Sequence, residues 1–124
     1  MKQTIYTIGY QKLTVDRLIQ IMMERKIDRV IDIRSKPYSR LSAWNTNALR
    51  KKLGARYIWK GDILGGLSGP VPEQGIEYLT TTKETVVIMC MEHDPARCHR
   101  FQDITPRLER LGVNVIHIVA GGGP

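Results

Sequence analysis

The residue types best suited to chemistry gather between Val86 and Arg100, in the run VVIMCMEHDPARCHR. Both cysteines of the chain, Cys90 and Cys98, fall there, with two of its three histidines, His93 and His99. An apolar run ends in Cys90, a polar loop follows, and the loop closes on Cys98, His99 and Arg100. Where a loop enters a helix, unpaired backbone N–H groups and the helix dipole favour negative charge. A cysteine placed there, beside Arg97, His99 and Arg100, is expected to hold more thiolate than an ordinary one. Cys98 is thus the candidate nucleophile, and His99 a candidate acid or base. Glu92 becomes a candidate general base where its surroundings raise its pKa. Cys90 reads first as a small core residue and second as a nucleophile or persulfide carrier. Arg100 has the planar fork that grips a phosphate or carboxylate. The same Cys-His-Arg run also fits a structural turn, in which Glu92 or Asp94 pairs with Arg97 or Arg100.

A second group closes another apolar run. Asp32 and Arg34 follow RVIDI, where they would either line a crevice and bind an anion or pair with each other. No metal is expected: Cys90, His93, Cys98, His99 and His117 are soft or borderline ligands, yet no CxxC or HExxH spacing joins them. His117, on an apolar strand, is expected in the core. GGLSG at 65–69 lacks the Gly-Lys-Ser/Thr ending of a phosphate-binding loop. No cofactor is expected.

Charge is the other strong signal. The formal net charge is +7, and from Arg34 to Lys60 there are eight Lys or Arg residues and no Asp or Glu. Tyr38, Trp44, Tyr57 and Trp59 are interleaved with them. Such a segment attracts phosphates, on nucleic acid or on a small anionic ligand. Arg40, Arg50, Lys51 and Lys52 are the expected phosphate contacts, and Trp44, Tyr57 or Trp59 the expected stacking residues. The alternative is a solvated basic face with aromatics in the core.

These residues need elements to position them. Residues 3–8 read as a strand ended by Gly9. Thr14 is placed to cap an amphipathic helix over 14–26, with Val15, Leu18, Ile19, Met22 and Met23 at helical spacing. A strand over 29–33 completes a βαβ unit. Ser35–Ser42 is irregular, since Pro37 disfavours helix at Lys36. A short helix over 46–53 is ended by Gly54, and 55–59 reads as a third strand. Residues 60–75 form a loop with a turn of helix, and a weak helix follows over 72–82. The continuous apolar run at 85–90 is typical of a central parallel strand. Phe101, Ile104, Leu108 and Leu111 mark a last helix. Pro106 either kinks it or opens a second one. Residues 113–119 form the last strand.

The alternation of strands and helices predicts an α/β fold: a single domain over 1–119, with a mostly parallel five-stranded sheet and helices on both faces. The Gly-rich tail at 120–124 is expected to be disordered. Ligands of such sheets bind outside the carboxyl ends of the strands. Gly9-Tyr10, Asp32 to Ser35, Cys90 to Glu92 and the residues after Val119 all sit at such ends, so one crevice is expected to gather them. No apolar run reaches the length of a membrane span. A cytoplasmic protein with reduced thiols, and no membrane partner, is the expectation. The sequence does not specify an oligomeric state.

Taken in order, several runs resemble one family. They are Thr7-Ile8-Gly9-Tyr10, Asp32-Ile33-Arg34-Ser35 with Pro37 and Ser39, Leu64-Gly65-Gly66, Cys90-x-Glu92, Cys98-His99-Arg100 and His117-Ile118. Together they resemble the domain-of-unknown-function family 488, from about Thr4 to Ile118. The resemblance implies a fold and a shared site, with Tyr10 and Ser39 added to Asp32, Arg34 and Arg100 as anion-binding candidates. Pro106 departs from that pattern. A second resemblance, to rhodanese-like domains, matches Val30 to Arg34 and Val86 to Cys90, and implies that Cys90 carries a persulfide. Pro95 and the acidic Glu92 and Asp94 do not suit the anion cup that this second likeness requires.

Two functions therefore compete. One is an anion-binding pocket at the strand ends, in a cysteine-dependent enzyme acting on a phosphorylated, nucleotide-like or sulfur-containing substrate. The other is nucleic-acid binding by the segment 34–60, with a structural Cys-His-Arg turn. A third, non-catalytic binding domain makes that turn structural as well.

Overall fold

Apolar runs bounded by turn residues become strands in every place that the sequence predicts one. β1 spans Thr4–Gly9, β2 Arg29–Asp32, β3 Tyr57–Trp59, β4 Val86–Cys90 and β5 Asn114–Ile118. The computed structural model describes residues 3–65 and 69–119, and of His99 and Arg100 the backbone alone. The expected tail at 120–124 and Gly66 of the Leu64-Gly65-Gly66 run lie outside the described residues.

Helix α1 spans Val15–Arg25, and its N-cap Thr14 accepts a hydrogen bond from the Arg17 amide. This satisfies one of the donors that a helix start leaves open. Helix α2 spans Thr46–Leu53 and stops at Gly54, whose φ of 59° is readily adopted by glycine. Helix α3 is one turn, Gly61–Leu64, and α4 spans Glu73–Thr81. Helix α5 runs through Pro106 without division, from His99 to Arg110. Short 3₁₀ turns fill Ser42–Trp44, Gly54–Arg56 and Pro95–Arg97.

The sheet order is β3-β2-β4-β1-β5. Every pairing is parallel: β1 with β4 and β5, and β2 with β3 and β4. The whole is an α/β domain with helices on both faces. Alternation along the strands divides the core into two layers. On one face α1 and α2 cover Ile8, Val30, Tyr57, Val87 and Met89. On the other, α3, α4 and α5 cover Ile5, Ile31, Ile33, Val86, Ile88 and Cys90. All five residues of β4 are buried, as a central strand requires.

The chain leaves β1 towards the α1 face and leaves β4 towards the α5 face. These strands are neighbours, so their loops diverge at a switch point, where α/β sheets hold ligands. Here the loop after β4 is laid against the end of β1. The amides of Tyr10 and Gln11 donate to the carbonyls of Cys90 and Met91 at 2.9 and 3.0 Å. Gly9 permits this approach: a Cβ on it would lie 1.6 Å from the Glu92 carbonyl oxygen. No helix among the described residues is long and apolar enough to cross a membrane.

Candidate functional site

Asp32 and Arg34 close β2 and find each other. Arg34 donates from Nε to Asp32 Oδ1 at 2.9 Å and from Nη2 to Oδ2 at 2.7 Å. The Arg34 amide also donates to Oδ1 at 3.1 Å, and Nη2 reaches the Trp44 carbonyl at 2.7 Å. Both residues are enclosed, with Asp32 0% and Arg34 4% exposed. The guanidinium lies 5.1 Å from the centre of the Tyr10 ring, which stacks on Trp44 with centroids 4.9 Å apart. Burial works to lower the Arg34 pKa, but the hydrogen bonds and charge of Asp32 outweigh it and raise the pKa above its ordinary value. Arg34 is fixed in its charged form.

Two further side chains, Tyr57 and Thr46, complete this network, and neither was expected in it. The Tyr57 hydroxyl donates to Asp32 Oδ2 at 2.5 Å and lies 3.0 Å from Thr46 Oγ1. Burial, reinforced by the bond to Asp32, pushes the Tyr57 pKa up to about 12. The signal was present in the register, because Tyr57 pairs with Val30, two residues before Asp32. One atom is left over: Arg34 Nη1 is buried and has no hydrogen-bond partner among the described residues.

The cysteines form a second centre. Cys90 ends β4 and Cys98 is the N-cap of α5. Their sulfurs are 3.0 Å apart. Cys90 is 0% and Cys98 1% exposed, so both sit in the core layer under α5. Between them Asp94 caps the turn Pro95–Arg97 by accepting from the Ala96 amide. Glu92 is half-buried, and its backbone rests on Gly9. The side chains of His99 and Arg100, expected to act as acid-base and anion grip, lie outside the described residues.

The single crevice expected for these groups does not form in that way. Asp32, Arg34, Tyr10, Trp44 and Tyr57 belong to the α1–α2 face, and Cys90 and Cys98 to the α5 face. The sheet stands between them. Ser39 is a turn residue, its hydroxyl accepting from the Leu41 amide at 3.1 Å. His117 corrects the expectation of a core histidine: it is exposed on β5, with Nδ1 2.6 Å from Thr7 Oγ1.

The basic segment divides by burial. Arg40, Arg50, Lys51 and Lys52 are exposed, as are Lys36 and Arg56. Trp44 was expected to stack on bases, yet it is 2% exposed and already stacked on Tyr10. Tyr57 is likewise buried, and the half-buried Trp59 donates from Nε1 to the Arg34 carbonyl at 2.7 Å. The aromatic left on the surface is Tyr38, at 67% exposure, beside the exposed Leu41. Among the described residues no three His, Cys, Asp or Glu come together to hold a metal ion.

Fold and geometry define a parallel α/β domain with its buried polar groups at the carboxyl ends of β2 and β4. Within that class the chain belongs to the family described as Domain of unknown function DUF488, whose sequence model matches residues 14–75, half of the chain. The match takes in β2, Asp32, Arg34 and the whole basic segment, and it stops short of Cys90 and Cys98. No curated protein and no solved structure matches the chain.

Proposed function

We propose that the protein binds nucleic acid along the exposed basic surface of residues 36–56. The observation that carries this reading is the exposure of Lys36, Arg40, Arg50, Lys51, Lys52 and Arg56 in a segment without a single Asp or Glu. α2 supports it by placing three of these cations together in its last turn, Arg50, Lys51 and Lys52. Tyr38, exposed in the same segment, supplies a ring on which an unpaired base stacks. Cations contact phosphates and release counterions, so affinity falls as salt rises.

Fluorescence anisotropy with a labelled oligonucleotide, over a series of salt concentrations, tests the proposal. Binding is expected to weaken steeply with salt. The triple variant Arg50→Gln, Lys51→Gln, Lys52→Gln is expected to flatten the slope of log K against log salt by roughly 2 to 3. Salt-independent binding, or a triple variant equal to the parent, overturns the reading.

A second reading is favoured by the helix entry. In it the protein is a cysteine-dependent enzyme, with Cys98 as nucleophile and a phosphorylated, nucleotide-like or sulfur-containing anion as substrate. Support comes from the place of Cys98 at the N-cap of a 12-residue helix, where peptide groups stabilise a thiolate. The thiol is buried, so substrate reaches it only when the Pro95–Arg97 turn opens. Iodoacetamide is expected to modify Cys98 with an apparent pKa well below that of an ordinary thiol. Two cysteines inert below about pH 8 reject this reading.

A further inference from the structure

We propose that Cys90 and Cys98 form an oxidisable dithiol, which a hydroperoxide converts into a disulfide within one chain. The inference rests on neither functional reading above. Its basis is the meeting of two thiol sulfurs at 3.0 Å between residues that separate elements hold in place. Cys90 is paired in register with Gly9, and its carbonyl accepts from the Tyr10 amide at 2.9 Å. Cys98 is held by its own amide on the Pro95 carbonyl at 3.2 Å, and by its carbonyl under the Gln102 amide at 3.0 Å. A disulfide demands that the two Cβ–S arms face each other. The two sulfurs, 3.0 Å apart, have about 1 Å still to close before they reach bonding distance.

The chemistry follows from the asymmetry of the pair. Peptide groups at the start of α5 favour the thiolate of Cys98 over that of Cys90, which ends a strand. The Cys98 thiolate attacks one oxygen of the hydroperoxide, the O–O bond breaks, and an alkoxide or hydroxide leaves and takes a proton. Cys98 is now a sulfenic acid, oxidised by two electrons. The Cys90 thiol gives up its proton, its sulfur attacks Cys98 sulfur, and water leaves. Two thiols and one hydroperoxide thus yield one disulfide, one water and one alcohol, or a second water when the oxidant is hydrogen peroxide. The setting selects the outcome. Both sulfurs are buried, so an oxidant reaches them only when the Pro95–Arg97 turn opens, and a small opening passes a peroxide before it passes a bulky disulfide. The second thiol stands next to the sulfenic acid and reacts before a second peroxide arrives. The product would tie the start of α5 to the end of β4 and close the loop that carries Glu92, His93 and Asp94.

The folded protein, treated with hydrogen peroxide and then unfolded in iodoacetamide, is digested with trypsin and mapped by mass spectrometry. Cleavage after Lys83, Arg97 and Arg100 places the two cysteines in separate peptides, 84–97 and 98–100. The expected result is these two peptides joined, with the joined species lost on reduction. Reduction is the decisive readout, because the exposed Met91 takes up oxygen in the same peptide. In Cys90→Ser the sulfenic acid at Cys98 has no partner thiol and is expected to be trapped by dimedone present as the peroxide-treated protein is unfolded. Alkylation of both cysteines after peroxide, further oxidation of one of them in place of joining, or a disulfide between two chains overturns the proposal. Failure of dimedone to label Cys98 in Cys90→Ser overturns the order of attack.

Discussion

At the scale of single residues, burial decides what a charged group does. Arg34 looks on paper like an anion grip, but three of its donor contacts go to Asp32, counting its amide, and a fourth to the Trp44 carbonyl. An anion in solution would have to displace a carboxylate that is already desolvated, and breaking such a buried pair costs about 3–5 kcal/mol. The pair therefore acts first as a clamp between the end of β2, the 3₁₀ turn at Ser42–Trp44 and β3. Tyr57 reports on that clamp. Its folded pKa of about 12 lies above the ordinary tyrosine value of 10.0, so folding favours the protonated phenol. The stabilisation is complete below about pH 10 and is lost as pH rises through the folded pKa near 12. Urea denaturation between these values is expected to show stability falling by on the order of 2 kcal/mol through this group. Tyr57→Phe removes that part of the decline. It also removes a late-titrating phenol from the ultraviolet titration of the five tyrosines, while Tyr78, raised by burial, still titrates late. A variant whose alkaline decline matches the parent's would place the phenolate elsewhere.

At the scale of elements, the loop after β4 is positioned by what it rests on. Its backbone continues the β1–β4 ladder through Tyr10 and Gln11, and the His93 amide donates to Gln11 Oε1 at 3.2 Å. Gly9 lies beneath the Glu92 carbonyl, and no side chain fits between them. Gly9→Ala is expected to lift the loop and destabilise the fold by about 1–3 kcal/mol, the range for overpacking a filled site. Chemical denaturation measures the loss, and amide exchange at Tyr10 and Gln11 shows whether the loop has moved. Unchanged protection at both amides would refute the seat. Periodicity announced nearly every element here, because apolar spacing and caps such as Thr14 and Gly54 are local properties of the chain. The grouping of the site was not local. Whether Arg34 meets Cys98 depends on which face of the sheet each occupies, and that follows from register: Asp32 pairs with Met89, so Arg34 and Cys90 point to opposite layers. The fates of Trp44 and Tyr57 were hidden for the same reason. An aromatic residue among lysines and arginines looks like a stacking platform until its partners, Tyr10 and Asp32, arrive from distant strands.

At the scale of the whole molecule, the excess charge of +7 is concentrated on one segment, and the neighbourhood of that segment contains a brake. Lys52 on α2 pairs with Asp16 in the first turn of α1 at 3.3 Å, with both side chains more than half exposed. An exposed pair of this kind adds little stability, about 0–1 kcal/mol. It nonetheless sets a negative charge beside the cations and holds one of them away from a phosphate. Asp16→Asn is therefore expected to bind an oligonucleotide about two- to fivefold more tightly at low salt, the equivalent of roughly 0.4–1 kcal/mol. The gain is expected to vanish near 0.5 M salt, where the screening length shrinks to about 4 Å. It also shrinks in a Lys52→Gln background, since most of the effect passes through that ammonium group. Loss of an acid from the first turn of α1 lowers helix stability by about 0.3–1 kcal/mol, so binding is measured well below the melting temperature. Anisotropy titrations of the four proteins in the cycle, at low and at high salt, give the coupling directly. Equal affinity of parent and Asp16→Asn at low salt would move the binding surface away from α2, and with it the role of Arg50, Lys51 and Lys52.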